Sequence, residues 1–269
     1  MAPPDGDRSF GPALLLSTAL LTVGGGGCKR IPSARAQAPV QVAAAADLSV
    51  AFEEMGRLFE ARTGQTVSFS FGASGALSKQ LAEGAPFDLF AAADPSFVDK
   101  AVQAGACDGA TKALYARGHV VVWTRKGGPT LRSLADLQSP DIEHIAIANP
   151  EHAPYGRAAR EALMHAGLWS ALESKIVQAE NVRQALQFAQ TGNADAAIVA
   201  LSLVAKNDPG VSLPIDATLH GALEQTLVVC RHGKNAAGAR EFAELVESKD
   251  GQKLLQRYGF GGPTPDAGK

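Results

Sequence analysis

Four strand-to-helix turns in this sequence consist of small or turn-forming residues, which leave backbone N–H groups open to a ligand. The turns are Ala45-Ala46-Asp47, Gly72-Ala73-Ser74-Gly75, Pro154-Tyr155-Gly156 and Glu180-Asn181-Val182. Each helix start presents unpaired N–H donors and about half a positive charge. Several helix starts directed at one point would hold an anion without the help of Lys or Arg. The pattern therefore predicts capture of an oxyanion by neutral donors.

An enzymatic active site has weaker support in the sequence. The stretch Gly72-Ala73-Ser74-Gly75 departs from the G-x-S-x-G nucleophile elbow, because no glycine stands two residues after the serine. Of the six histidines, His152 is the one near a proposed turn, where a surface loop is the ordinary interpretation. We therefore expect a binding protein and not an enzyme.

The elements that must position these turns alternate between strands and helices. Hydrophobic residues switch repeatedly between a period of two and one of about 3.6, which is typical of an α/β protein. Predicted strands occupy residues 40–44, 66–71, 88–93, 119–125, 144–149, 175–180, 195–201 and 223–230. Predicted helices occupy residues 48–63, 75–84, 95–104, 131–137, 156–165, 182–192, 237–247 and 251–258. Ligands of open α/β sheets bind beyond the carboxyl ends of the strands, which is where all four turns fall.

This order of elements predicts two lobes in series, with a central sheet in each lobe and a last segment that returns to the first. The chain would cross between the lobes twice, near residues 118–125 and 225–232, and the two crossings would form a hinge. Lobe 1 is predicted to comprise residues 39–118 and 232–263, lobe 2 residues 119–231, and a flexible tail residues 264–269.

Residues 1–38 are typical of an export signal. The apolar run 12–23 is too short to span a bilayer and should be removed with the signal. Two processing routes remain open, namely lipidation at Cys28, which follows four glycines, and cleavage after Ala36 or Ala38. Both predict a periplasmic protein, and the first adds a lipid anchor.

The charge balance excludes some classes of partner. Removal of residues 1–36 would take away four basic and two acidic groups, leaving 21 basic and 25 acidic groups and a net charge of about −4. Nucleic acids and anionic membrane surfaces require a basic patch, so we expect neither as a partner.

The cysteines predict no metal centre. The sequence has three cysteines and no CxxC motif or His/Cys cluster, so a zinc site has little support. Cys107 and Cys230 would meet an oxidising compartment, where they could pair. The sequence does not show whether they come within bonding range.

Five stretches together resemble a known family. They are AAAADL, FGASGALSKQLAEGAPFDLFAAAD, NPEHAPYGRAAREAL, AENVRQAL and KLLQRYGF, and they span about residues 40–261. In this order they resemble the periplasmic molybdate-binding proteins of ABC importers. The resemblance implies a monomeric type II periplasmic-binding-protein fold that closes about a hinge and delivers molybdate, and tungstate too, to a membrane permease. No cofactor other than the bound oxyanion is implied, and no residue would ligate the metal directly.

Two other classes stay open beside this resemblance. A binding protein for another tetrahedral oxyanion, such as phosphate or sulfate, would share the same donors. A regulator with the same two-lobed fold would carry a DNA-binding helix-turn-helix, but the export signal occupies the place that such a segment would need.

The resemblance also implies roles for individual residues. Ser74 matches the family serine that donates its hydroxyl and amide to the oxyanion. Tyr155 and Val182 match positions whose backbone N–H groups do the same. Ala46 and Ala73, which directly precede Asp47 and Ser74 in the chain, also belong to the predicted ligand-binding set.

Two positions depart from the family pattern. Asp47 stands where the family often has serine, and Ala200 stands where it often has tyrosine. Ser202 or Ser49 could restore a lost hydroxyl donor, and Ser202 is included in the predicted set.

Three interpretations of Asp47 remain open at this stage. Its carboxylate could cap the following helix and leave its own N–H for the ligand. It could stay protonated beside the bound anion, because a neighbouring negative charge raises a carboxyl pKa. It could also accept a proton from a protonated oxyanion such as phosphate, which molybdate cannot offer at neutral pH.

Overall fold

The structure is a computed structural model that describes residues 38–206 and 208–264. The apolar run, Cys28 and Ala36 of the predicted export signal lie outside the described residues, as does the tail beyond residue 264. In the part that is described, no helix combines the length and the apolar character needed to cross a membrane.

Within the described residues, ten strands form two five-stranded sheets, one in each lobe. The strands are β1 (Val40–Ala45), β2 (Val67–Gly72), β3 (Leu89–Ala92), β4 (Ala113–Gly118), β5 (Val120–Thr124), β6 (Ile145–Ala148), β7 (Ile176–Ala179), β8 (Ala196–Ala200), β9 (Val211–Pro214) and β10 (Leu223–Val229). The first sheet has the order β2-β1-β3-β10-β4, and the second has the order β7-β6-β8-β5-β9.

The two sheets are built alike. In each sheet, three neighbouring strands are parallel, and a fourth strand pairs antiparallel to the last of them. This fourth strand is β10 in the first sheet and β5 in the second. The inner strands β3, β6 and β8 are apolar and buried throughout, as expected for strands covered by helices on both faces. Two lobes of the same construction therefore point the carboxyl ends of their strands at a shared cleft.

In the part of the chain that the structure describes, eight α-helices cover the sheets. They are α1 (Ser49–Thr63), α2 (Ser74–Ala82), α3 (Pro95–Gln103), α4 (Pro154–His165), α5 (Trp169–Leu172), α6 (Val182–Gln190), α7 (Ala236–Glu247) and α8 (Lys249–Arg257). Asp94 caps α3 by accepting from the Ser96 N–H, with Pro95 at the first helical position. On the first sheet, the Phe242 ring of α7 packs edge-on against Phe52 and Phe59 of α1.

The predicted fold class is confirmed, but one strand belongs to the other lobe. Residues 223–230 were assigned to lobe 2 by the predicted boundary at residue 231, whereas β10 pairs with β3 and β4 in the first sheet. The first crossing lies at His119, inside the predicted range, and the second lies at residues 215–222 instead of 225–232. An apolar strand fits either sheet, and periodicity does not reveal its partner.

Four weaker elements differ from the sequence prediction, and one of them is α5, over which the sequence predicts no helix. The edge strands β4 and β9 were not predicted, because their partly exposed residues lack a clear apolar alternation. The helix predicted over residues 131–137 is a short 3-10 helix, Leu134–Gln138, which starts at a capping box formed by Ser133 and Asp136.

A disulfide joins Cys107 to Cys230, the pair that the sequence left open. Both residues are buried, and they are separated by 123 positions in the chain. The bond ties the segment after α3 to the end of β10, so it holds the returning strand to lobe 1. A crosslink that closes so long a loop removes much conformational freedom from the unfolded chain.

We predict that replacing both cysteines, in the variant Cys107→Ala/Cys230→Ala, lowers the free energy of unfolding by about 2–5 kcal/mol. Urea unfolding followed by circular dichroism measures this loss. Wild-type protein unfolded with a thiol reductant is the control, because it loses the bond but keeps both side chains. An unchanged unfolding midpoint in both samples would contradict the prediction.

Candidate functional site

The four turns meet around one cavity between the lobes. It is small, with about 10 Å³ of room for the centres of water-sized molecules, and lobe 1 contributes the ends of β1 and β2 with the residue after β3, while lobe 2 contributes the starts of α4 and α6. The lining residues are Ala45, Ala46, Asp47, Gly72, Ala73, Ser74, Ala93, Ala153, Pro154, Tyr155 and Val182. The predicted convergence of turns from both lobes is therefore present in the structure.

Three helices begin at the cavity wall. Ser74 is the first residue of α2, Val182 is the first of α6, and Tyr155 is the second of α4 after Pro154. N–H groups in the first turn of a helix have no acceptor within that helix. Among the described residues, the amides of Ser74, Tyr155 and Val182 have no backbone acceptor elsewhere either. These three donors are available to a ligand in the cavity.

The cap of α6 leaves the Val182 amide free. The Asn181 side chain accepts from the N–H groups of Arg183, at 3.1 Å, and of Gln184, at 3.0 Å. It does not accept from the Val182 N–H, although Val182 lies between Asn181 and these two residues in the sequence. The local capping motif thus satisfies the outer donors of this helix and leaves the one at the cavity.

The Ser74 hydroxyl is held in place by the lobe that carries it. Its Oγ accepts from the N–H of Ala93 at 3.1 Å, and the residue is 1% exposed. A hydroxyl that accepts one bond still has its own proton to donate. Ser74 therefore offers both an amide and a hydroxyl donor at the cavity.

Asp47 does not cap a helix. Neither the short 3-10 helix Ala46–Leu48 nor α1 has a side-chain cap, and the Asp47 Oδ2 instead accepts from the Gln225 Nε2 at 2.7 Å. The interpretation of Asp47 as an N-cap is therefore wrong. Gln225 lies on β10, 178 positions away, so no local pattern could have revealed this bond.

The environment of Asp47 favours its neutral form. Burial raises the pKa of its carboxyl from 3.8 to about 7, against smaller opposing effects of its own backbone, Tyr155 and Gln225. The Tyr155 hydroxyl is close enough to lower this pKa, but its geometry does not make a hydrogen bond, and Oδ1 has no partner within the described chain.

The Tyr155 side chain crosses from lobe 2 into lobe 1. A Cβ atom on Gly118, at the end of β4, would lie 2.0 Å from the Tyr155 hydroxyl oxygen, so the missing side chain of this glycine makes room for the tyrosine. Burial, followed by the charge of Asp47, raises the pKa of both Tyr155 and Tyr115 well above 10. We call Asp47, Tyr115, Tyr155 and Gln225 the interlobe polar cluster.

Two predicted site residues do not line the cavity. Ala200 ends β8 and is fully buried in lobe 2. Ser202 donates its hydroxyl to the backbone oxygen of Asp47 at 2.8 Å, so that hydroxyl bridges the lobes and does not replace a ligand donor. Ser49 is buried but is likewise absent from the cavity lining.

Further contacts hold the lobes together on either side of the cavity. The Gly75 N–H donates to the His152 oxygen at 2.9 Å, and Asp94 of lobe 1 forms an ion pair with Arg157 of lobe 2. A Cβ atom on Gly75 would lie 2.9 Å from the same His152 oxygen, so this close approach requires glycine. The structure is therefore that of the closed protein.

The cavity lining carries no cation. None of its residues is Lys, Arg or His, and no group of three or more His, Cys, Asp or Glu in the described ranges could hold a metal ion. Neutral amide and hydroxyl donors are therefore what the site offers to a ligand.

Five lining residues are absent from the predicted ligand-binding set, although three of them, Ala45, Gly72 and Pro154, stand in the predicted turns; the other two are Ala93 and Ala153. Four of them lie in or beside the predicted turns, so the run of small or turn-forming residues that defines these turns could have revealed them. Ala93 is different, because it reaches the cavity through its bond to Ser74, which only the fold reveals.

Comparison with known proteins places this architecture in a family. Residues 40–261 match the family described as bacterial extracellular solute-binding protein. The chain belongs to this family. The resemblance drawn from the sequence motifs is thereby confirmed, and solute-binding proteins are a class distinct from the enzymes considered above.

Several relatives of this solute-binding protein have names that mention a ligand. The chain is 35% identical over 221 residues to the molybdate-binding protein ModA of Rhodobacter capsulatus, which covers 82% of this chain and 87% of that protein. A solved structure, the periplasmic molybdate-binding protein of Azotobacter vinelandii, has a TM-score of 0.77 at 29% identity and covers 82% of this chain and 98% of that one. The sulfate-binding protein SubI of Mycobacterium tuberculosis has a TM-score of 0.71 at 20% identity, over 85% of this chain and 88% of that one, which shows a shared fold alone.

Proposed function

We propose that this protein captures molybdate, and also tungstate, between its lobes and delivers it to an ABC permease. The observation that carries the proposal is the convergence of three helix starts and the Ser74 hydroxyl on one closed cavity without a cation. The molybdate-binding proteins of Rhodobacter capsulatus and Azotobacter vinelandii, to which the chain is similar, support the choice of anion.

The donors of this site suit a dianion that carries no proton. Each oxygen of a bare tetrahedral oxyanion can only accept hydrogen bonds, and the amides of Ser74, Tyr155 and Val182 can only donate them. Inside a closed cavity these bonds act at low local dielectric, where a neutral donor stabilises charge more strongly than in water. The ligand would touch the protein through its oxygens, with no residue bound to the metal.

Capture would proceed through a hinge. In an open protein the anion would meet the helix starts of one lobe, and rotation about His119 and residues 215–222 would bring up the other lobe. Contacts such as Gly75 with His152 would then form and exclude water. The closed shape would be the form that the permease recognises.

Phosphate or sulfate is the second candidate ligand. The observation in favour of phosphate is Asp47 in the cavity wall, because an ionised carboxylate can accept the proton of a protonated anion. Sulfate carries no proton at neutral pH, so Asp47 does not favour it. Against it, one oxygen of this carboxyl already accepts from Gln225, and burial favours the protonated form, which does not accept that proton.

The remaining proposals concern the setting of the protein. We infer that it works as a monomer in the periplasm, after export by the predicted signal, with a lipid anchor if Cys28 is the processing site. It would bind its ligand without transforming it, since the Ser74 Oγ accepts from a backbone N–H in the described structure and is not paired with a histidine.

We predict that molybdate and tungstate raise the melting temperature of the purified protein more than sulfate or phosphate do. An anion present at a hundredfold excess over its dissociation constant adds about 2.7 kcal/mol to the free energy of unfolding. A thermal-shift panel of the four sodium salts measures this, with sodium chloride as the control. A larger shift with phosphate or sulfate would transfer the proposal to that anion.

We predict that Ser74→Ala weakens molybdate binding about tenfold to hundredfold, since a hydrogen bond to a charged group contributes about 1.5–3 kcal/mol. Isothermal titration calorimetry measures the affinity. The matched control is Ser68→Ala, the same change at an exposed position of β2. Equal affinity of Ser74→Ala and wild type would remove Ser74 from the site.

We predict that Gly75→Ala hinders closing of the lobes, because its Cβ would lie 2.9 Å from the His152 oxygen. Overpacking of this kind costs about 1–3 kcal/mol, so molybdate affinity should fall about fivefold to hundredfold. Small-angle scattering of the molybdate-saturated variant should show a larger radius of gyration than wild type. Gly262→Ala, where nothing lies within 4 Å, is the control and should match wild type.

A further inference from the structure

The interlobe polar cluster concentrates unsatisfied polar atoms. Five buried side-chain atoms lack a hydrogen-bond partner in the described part of the chain, and four belong to Asp47, Tyr115, Tyr155 and Gln225. Buried polar atoms without partners are costly, and a native protein keeps few of them. A cluster beside the proposed anion site therefore calls for a functional explanation.

This cluster is complete only when the lobes close. Asp47, Tyr115 and Gln225 belong to lobe 1, whereas Tyr155 belongs to lobe 2. Ser202, also of lobe 2, binds the Asp47 backbone oxygen. Closing thus brings two lobe 2 residues onto Asp47 and leaves it 1% exposed, while opening would return it to water.

Among residues 38–206 and 208–264, no cation balances the Asp47 carboxyl. The groups that act on it are Tyr155 from α4, Gln225 from β10 and its own backbone, and the nearby titratable group on β4 is Tyr115. Both tyrosines stay neutral, because burial raises their pKa well above 10.

Charged groups on the other elements packed against Asp47 are engaged elsewhere or exposed. On α1, Glu54 pairs with Lys206 and Arg257. On α6, Arg183 is exposed. An ionised Asp47 in the cavity wall would therefore add a third uncompensated negative charge to those of a bound dianion.

We propose that the closed lobes hold molybdate only when Asp47 is protonated, so that each captured dianion is accompanied by one proton taken from solvent. The proton resides on the carboxyl of Asp47, the anion stays fully deprotonated, and opening returns both to solvent. This inference rests on the proposed function, because it describes how that same site tolerates its ligand.

The sign of the pH dependence follows from the two states of Asp47. Burial in the closed protein raises the pKa of the carboxyl from 3.8 to about 7. Opening would hydrate the carboxyl and lower this pKa toward its ordinary value, whereas a bound dianion would raise it further. Between these values closing takes up one proton, so affinity is highest at low pH and falls as pH rises. The fall is at most tenfold per pH unit, which gives up to about a hundredfold between pH 6 and pH 8.

The test is calorimetric titration of the full protein with sodium molybdate at pH 6, 7 and 8. Repeating each titration in buffers of different ionisation enthalpy counts the protons exchanged. We expect wild type to take up about one proton per molybdate at pH 7 and to lose affinity toward pH 8. Asp47→Asn, which keeps the shape without the titrating proton, should take up none and show a flat pH response, whatever its absolute affinity.

Asp141→Asn is the matched control, since Asp141 is exposed in lobe 2 and should retain the wild-type pH dependence. A second readout on wild type alone guards against a misfolded variant. The infrared difference spectrum on adding molybdate at pH 7 should gain the C=O stretch of a protonated carboxyl.

The outcomes separate this inference from the proposed function. Molybdate binding with no proton uptake, a flat affinity or no protonated-carboxyl band overturns the role of Asp47 and leaves the function intact. Asp47→Asn with the wild-type pH dependence overturns it as well. Absence of molybdate and tungstate binding at every pH overturns the proposed function itself.

Discussion

Backbone N–H groups that find no partner at the starts of helices are the constraint on which this structure depends. They gather at the carboxyl ends of parallel strands, because each strand there turns directly into a helix. The residues around them must be small, since a larger side chain would fill the space that the ligand needs. The run of alanines at the end of β1 and the Gly-Ala-Ser turn after β2 meet this condition. Because no Lys, Arg or His lines this site, the anion is stabilised by neutral donors alone, and donors from both lobes are required to surround it.

Closing and binding are linked through single residues at the lobe interface. Tyr155 presents its amide to the cavity from α4, while its ring crosses to lobe 1 and fits beside Gly118. Asp47 lines the cavity and also receives the Ser202 hydroxyl on its backbone oxygen. Movement of either lobe would therefore disturb the donors and the interface together. A hinge of two chain crossings allows this movement while the disulfide keeps β10 attached to lobe 1.

Most of the fold was predictable because its strong elements have strong local signals. The buried strands are continuous apolar runs, and several helices have a clear apolar face or a capping residue, as α3 has at Asp94. The assignment of β10 to a lobe was not predictable in this way. Its pairing with β3 and β4 joins segments more than 100 residues apart, and an apolar strand carries no mark of its future neighbour. The edge strands β4 and β9 were missed for a related reason, since half-exposed residues show weak periodicity.

The sequence by itself determined which backbone donors exist, because a capping residue, a Pro or a small residue defines a helix start within a few positions. Ser74, Tyr155 and Val182 could be named on that basis together with the family resemblance. Only the tertiary structure decided what the side chains between them do. The Asp47 carboxyl meets Gln225 across 178 positions, and the Ser202 hydroxyl meets the Asp47 backbone across 155. Helix starts are local and follow from neighbouring residues, whereas the protonation and pairing of a buried side chain follow from groups that only the folded chain brings together.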